Sequence, residues 1–192
     1  MRYLLIAVTV SVIAIVAVAS ACSVGGGGSK ATPTPDASAL LQQGLDAHTG
    51  GNALEAARLY QAVLAVDPTN KFAHYNLGVI DQAEGRNEQA ENRYRVALGV
   101  DPDFAPALFN LAILRTAAGY PADAVALYRH VIKVQPDNAG AHLNLGLLLR
   151  QAGQQDEAAA ELARAAALGT GPGGTPVAAQ TPAPQQGKTP AR

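Results

Sequence analysis

Hydrophobic and polar positions divide the chain into regions of different character. Residues 3–21 form an uncharged apolar run that follows a single basic residue, Arg2. Residues 37–168 mix apolar and charged positions with a helical periodicity. Residues 23–36 and 169–192 are rich in Gly, Pro, Thr and other small residues, and such segments cannot bury enough apolar surface to fold. The pattern predicts an apolar N-terminal segment, a helical central region, and a linker and a tail that are disordered.

The central region repeats every 34 residues, which is the mark of a stacked-repeat architecture. The period divides it into units 37–70, 71–104, 105–138 and 139–172, the last of which loses the pattern after Leu168. Several residue types recur at this spacing: Gly51, Gly85, Gly119 and Gly153; Ala56, Ala90, Ala124 and Ala158; Tyr60, Tyr94 and Tyr128; Pro68, Pro102 and Pro136.

Each column of the repeat has a physical reason, and together they predict two helices per unit. The recurring glycines end the first helix, where a positive φ carries no Cβ penalty. Small residues before them let the paired helix approach closely: Gly44, Gly78, Ala112 and Gly146. The prolines stop the second helix. Asn70, Asp103 and Asn138 then offer capping oxygens to the next first helix. The expected fold class is all-α.

The motifs at 73–78 (AHYNLG), 107–112 (ALFNLA) and 141–146 (AHLNLG), with the columns that follow them, resemble the tetratricopeptide repeat (TPR) family. The resemblance covers the four units and implies a TPR-type α-solenoid of four helix-turn-helix repeats, whose first helices line a concave groove. One departure is the family's second tyrosine, which is replaced in each unit: Ala47, Asp81, Arg115 and Leu149. We expect these replacements to thin the packing without breaking the fold.

An asparagine column provides the candidate binding site. Asn76, Asn110 and Asn144 lie in mid-helix, where asparagine has poor helix propensity. An amide carries both a donor and an acceptor, so it matches one peptide unit of an extended chain. By resemblance to TPR proteins with an asparagine ladder, the column would hold a ligand backbone. Further residues would supply apolar contact: Tyr75, Phe109, Val79, Ile113 and Leu147. The alternative is that each asparagine bonds a neighbouring helix or its own backbone.

Charge and composition argue against other functions. Residues 37–168 hold 10 basic and 14 acidic residues, a net charge of −4 that repels nucleic-acid phosphate. The chain has one cysteine and four scattered histidines, so we expect no metal site. No phosphate-binding loop or catalytic constellation is recognisable. We therefore expect no cofactor, no nucleic-acid partner and no enzymatic activity.

The N-terminal segment predicts a location outside the cytoplasm. Ala19-Ser20-Ala21-Cys22 resembles the lipobox of bacterial lipoproteins, in which the cysteine is lipidated. An uncleaved transmembrane anchor and simple secretion are the alternatives for residues 1–21. Residues 22–36 would then be a flexible linker, and residues 173–192 a tail that is either solvated or associated with the cell wall.

These inferences combine into a functional expectation. The chain is expected to be a membrane-tethered scaffold of the bacterial envelope, which binds a partner peptide or protein in its concave groove during assembly or secretion. Two alternatives stay open: a structural protein that self-associates, and a non-catalytic accessory subunit of an envelope enzyme.

Overall fold

The computed structural model describes residues 36–169. Eight α-helices and no strands are found in this part of the chain. The helices are α1 (Ala37–Thr49), α2 (Ala53–Val66), α3 (Lys71–Ala83), α4 (Asn87–Val100), α5 (Ala105–Ala117), α6 (Pro121–Val134), α7 (Ala139–Gln151) and α8 (Gln155–Ala167).

Consecutive helices pack into pairs, and each pair packs on the next. The largest helix–helix contacts join α1 with α2, α3 with α4, α5 with α6, and α7 with α8. Smaller contacts join the second helix of one pair to the first helix of the next, and α3 also contacts α5 directly. The predicted all-α solenoid of four helix-turn-helix repeats is therefore confirmed.

The turn glycines adopt the conformation that their position predicts. Gly51, Gly85, Gly119 and Gly153 have φ between 76° and 82°, in the left-handed region that disfavours other residues. A Cβ at any of the four would meet no atom within 4 Å, so the need for glycine comes from the backbone alone.

Two of the three expected helix caps are present. The side-chain oxygens of Asn70 and Asn138 accept from the backbone N–H groups of Ala73 and Ala141, at 3.1 and 3.0 Å. The expectation for Asp103 is wrong. Phe104 occupies the N-cap position of α5 and makes no side-chain cap, while Asp103 turns its carboxylate to His130 at 2.7 Å.

Close packing within the first two helix pairs explains why Gly44 and Gly78 stand on their first helices. A Cβ added to Gly78 would lie 2.6 Å from Cε1 of Tyr94, and one added to Gly44 would lie 2.6 Å from the same atom of Tyr60. Both tyrosines have no exposed surface. The tyrosine ring of the second helix therefore fills the space that glycine leaves on the first.

The replacements of the family's second tyrosine do not all thin the packing. Asp81 is buried, with its side chain only 10% exposed, and it joins α3 to α4 through two arginines. Arg86 contacts one carboxylate oxygen at 2.7 Å, and Arg93 contacts the other at 2.8 Å. Arg115 pairs with Glu91, which joins α5 to α4. Ion pairs thus occupy the place of tyrosine packing in the two middle units.

The last helix, α8, packs closely on α7, and Cγ of Leu162 would lie 2.8 Å from a Cβ added to Gly146. Its buried residues are the alanines at 158 and 165. Three ion pairs hold it to the preceding unit and to its own partner helix: Glu157 with Arg129, Glu161 with His142, and Arg164 with Asp137.

The predictions for the two ends of the chain lie outside the described residues. These are the signal or anchor at 1–21, lipidation at Cys22, most of the linker, and the tail at 173–192. None of the eight described helices has the length and apolar character that crossing a bilayer requires.

Candidate functional site

Three of the predicted binding residues form an accessible apolar stripe along the first helices. Val79 on α3 and Ile113 on α5 are half-buried, and Leu147 on α7 is 40% exposed. They are equivalent positions, 34 residues apart, on three consecutive first helices. We call these three residues the groove stripe. The helices α3 and α5, which carry two of these residues, also contact each other directly.

The two predicted aromatic contacts lie in the core. Tyr75 is 1% exposed and packs edge-on against Phe104 with ring centroids 5.4 Å apart. Phe109 is 6% exposed and packs edge-on against Tyr128 at 5.6 Å. A Cβ at Gly140 would lie 3.1 Å from the ring of Phe109, so this glycine makes room for the aromatic side chain.

The asparagine column points largely into the protein. Asn76 is 2% exposed, and its amide nitrogen donates to the carbonyl of Phe72 at 2.8 Å. Asn110 is 5% exposed, and its amide nitrogen donates to the hydroxyl oxygens of Tyr75 and Tyr94, both at 3.4 Å. Asn144 is only half-buried. The amide donors of Asn76 and Asn110 thus have partners inside the fold, whereas ligand binding by the column stays a prediction.

A tyrosine–asparagine hydrogen bond links the second unit to the third. Asn110 follows Tyr94 by 16 residues and donates to its hydroxyl. Asn144 follows Tyr128 by the same interval. The sequence carries this signal, because every tyrosine of the column precedes an asparagine by 16 residues.

The first unit departs from this pairing. Tyr60 has the same spacing to Asn76, yet its hydroxyl is buried without a hydrogen-bond partner. Asn76 bonds instead to its own helix. Burial raises the pKa of Tyr60 to about 12, and burial likewise raises that of Tyr128 to about 12. Burial also raises the pKa values of Tyr75 and Tyr94. These hydroxyls are therefore neutral hydrogen-bonding groups at neutral pH.

The predicted binding positions Tyr75, Val79 and Asn144 carry no charged side chain. Arg150, near the end of α7, is exposed. Within residues 36–169, no group of three or more His, Cys, Asp or Glu side chains is arranged to hold a metal ion. The groove offers apolar and amide contacts rather than an ion site.

Residues 40–168 match the family described as the cilia and flagella-associated protein 70 middle TPR-like domain. The chain belongs to this TPR-like family. Its members share a fold that generally serves as a scaffold for protein–protein interaction and is generally non-catalytic. No curated protein matches the chain by sequence.

Solved structures of the same fold include MamA and part of a glycosyltransferase. The structure titled "Crystal structure of MamA" is 23% identical with a TM-score of 0.64, covering 72% of this chain and 81% of that one. MamA from Desulfovibrio magneticus RS-1 is 18% identical with a TM-score of 0.60, and the match covers 69% of this chain and 75% of that one. A mutant Thermobaculum terrenum O-GlcNAc transferase is 28% identical with a TM-score of 0.55, covering 59% of this chain. Only 22% of the transferase is matched, so the likeness concerns its TPR-like part and not its activity.

Proposed function

We propose that this protein is a non-enzymatic, membrane-tethered scaffold that binds an extended segment of a partner protein in its concave groove. The observation that carries the proposal is the groove stripe, Val79, Ile113 and Leu147, which keeps apolar side chains accessible on three consecutive first helices. Accessible apolar residues at one repeated position match the periodic contacts that an extended chain requires.

The neighbouring polar groups suit the same ligand. Asn144 is half-buried beside Leu143 and Leu147 on α7, so its amide is the most accessible of the column. An amide in this place pairs with a peptide unit whatever the ligand's side chains are. The proposed contacts therefore combine apolar recognition along the stripe with a backbone hydrogen bond in the last unit.

The tether and the location follow from the N-terminal sequence. An apolar run that ends in small residues before Cys22, followed by a Gly/Pro-rich linker, supports lipid attachment or an anchor and a repeat domain held away from the membrane. A role in bacterial envelope assembly or secretion fits this arrangement.

Partner capture by matched variants tests the proposal. The groove variant carries Val79→Ser, Ile113→Ser and Leu147→Ser. The control variant carries three changes of the same kind at exposed positions on second helices: Val66→Ser, Val96→Ser and Val100→Ser. Both are compared with the unchanged protein by crosslinking and pull-down from envelope extract, after circular dichroism shows that both are folded.

The proposal predicts that the groove variant loses a partner that the control variant and the unchanged protein retain. The opposite result, loss in the control variant with retention in the groove variant, would move the binding surface to the second helices and overturn the proposal.

A further inference from the structure

A small cavity opens where the starts of α3 and α5 meet the end of α6. Its volume is about 290 Å³, and its walls include Phe72, Phe104, Pro106 and Val134. Drug-sized ligands occupy pockets of about 300–1,000 Å³, so this cavity has the size of a single large side chain. We call it the α3–α5 cavity.

Two walls of the α3–α5 cavity lie on the same helices as the groove stripe. Phe72 precedes Val79 by seven residues on α3, and Pro106 precedes Ile113 by seven residues on α5. Residues seven apart lie on the same face of a helix. A segment bound along the stripe would therefore pass the mouth of the cavity.

The lining already holds one cation. The ammonium of Lys71 lies 5.1 Å from the ring centroids of both Phe72 and Phe104. It also pairs with the carboxylate of Asp101 at 2.5 Å, and this hydrogen bond lowers the pKa of Asp101. Two ring faces and a carboxylate attract a cation together, because the ring quadrupole adds to the ionic attraction. The cavity is thus chemically suited to positive charge.

A second carboxylate lies at the rim. Asp103 has a side chain that is 70% exposed, and its one ion-pair partner among the described residues is His130, a group that is charged only when protonated. The cavity therefore has two aspartates, of which Lys71 neutralises one. The whole repeat region has a net charge of −4, which also favours a basic partner.

We propose that the α3–α5 cavity binds an arginine side chain of the partner segment. A guanidinium is planar, stacks on aromatic rings, and donates two parallel hydrogen bonds to a carboxylate, so it fits this lining better than an ammonium does. Asp103 and the phenyl rings hold the guanidinium, while Lys71 limits the affinity by repulsion. This inference rests on the proposed function, since it gives the chemistry of the partner that the groove binds.

Small probes test the cavity without any partner protein. The probes are N-acetyl-arginine methylamide and its uncharged counterpart N-acetyl-citrulline methylamide. They are titrated into the full chain, while the amide resonances of the non-proline residues at the cavity, at positions 71, 72, 101 and 103–105, are followed by NMR. The arginine probe is expected to shift these resonances, and the citrulline probe is expected to leave them in place.

Substitutions make the test specific. Lys71→Met should strengthen binding of the arginine probe by about tenfold, because charges this close at a protein surface repel by an energy of that order. Asp103→Asn should weaken it, and its exposed position makes misfolding of this variant a minor concern. Arg58→Met on α2, which also removes an exposed cation, should leave the affinity unchanged.

Equal shifts with both probes, no shift with either, or an affinity that Lys71→Met does not raise would each overturn the inference. None of these results bears on partner capture by the groove stripe, so the proposed function stands or falls separately.

Discussion

The hydroxyl groups of the tyrosine column provide a sharp test of the packing between units. Tyr60 and Tyr94 are equivalent residues, and both are fully buried. The Tyr94 hydroxyl donates to Gln82 at 2.8 Å and accepts from Asn110 at 3.4 Å, whereas the Tyr60 hydroxyl has no partner. The same change, tyrosine to phenylalanine, therefore removes a satisfied group at one position and an unsatisfied group at the other.

The structure sets the size and the sign of the two effects. Tyr94→Phe leaves buried polar groups without their partner, which costs about 1–3 kcal/mol of unfolding free energy. Tyr60→Phe removes a buried polar atom that makes no hydrogen bond, so the free energy of unfolding should stay constant or rise by up to about 1 kcal/mol. The two variants should differ by about 2 kcal/mol, which corresponds to roughly 4–8 °C in Tm for a unit of this size.

Urea denaturation of the full chain, followed by circular dichroism, measures this difference. If the free energy of unfolding falls with urea concentration at the same slope in both variants, a shift in the urea midpoint reports a change in stability. If Tyr60→Phe destabilises as much as Tyr94→Phe, the Tyr60 hydroxyl has a partner in solution and the reasoning is refuted.

Three further predictions concern packing, pH and the N-terminus. Gly78→Ala should lower the unfolding free energy by about 1–3 kcal/mol in the same assay, because its Cβ would lie 2.6 Å from the buried ring of Tyr94. Lys71→Met should lower the free energy of unfolding at neutral pH, because Lys71 stabilises the charged carboxylate of Asp101 and lowers its pKa from the ordinary 3.8. The difference from the unchanged protein should disappear as the pH falls below about 3.8, where Asp101 becomes protonated. A difference that persists at lower pH would contradict this. Mass spectrometry of the mature protein should find a lipidated N-terminal Cys22, and an intact N-terminus at Met1 would instead support the uncleaved anchor.

The fold could be predicted from the sequence because its determinants are local and repeat. A 34-residue period, a glycine that requires positive φ and a proline that stops the second helix recur in consecutive units, so each helix boundary is indicated several times. The cap of α5 could not be predicted in the same way. Asp103 and Phe104 are neighbours, and a shift of one residue in the helix start decides which of them is the N-cap.

The candidate site could be predicted only in part, because side-chain direction depends on the rotation of each helix against its neighbours. Leu147 is exposed and Val79 and Ile113 are half-buried, whereas Asn76 and Asn110 are buried. The ion pairs of Asp81 were missed for a similar reason. Its partners Arg86 and Arg93 come from the following turn and the next helix, and only packing brings them to one carboxylate.

The most direct test of the central claim replaces one residue at a time with a photoreactive amino acid. One probe takes the place of Ile113 in the groove stripe. The other takes the place of Val96 on α4, which is 38% exposed and lies outside the stripe. If the first helices form the binding surface, irradiation in the native envelope should crosslink a partner from position 113 and leave position 96 unlinked. Crosslinking of the partner from position 96 but not from position 113 would contradict the account.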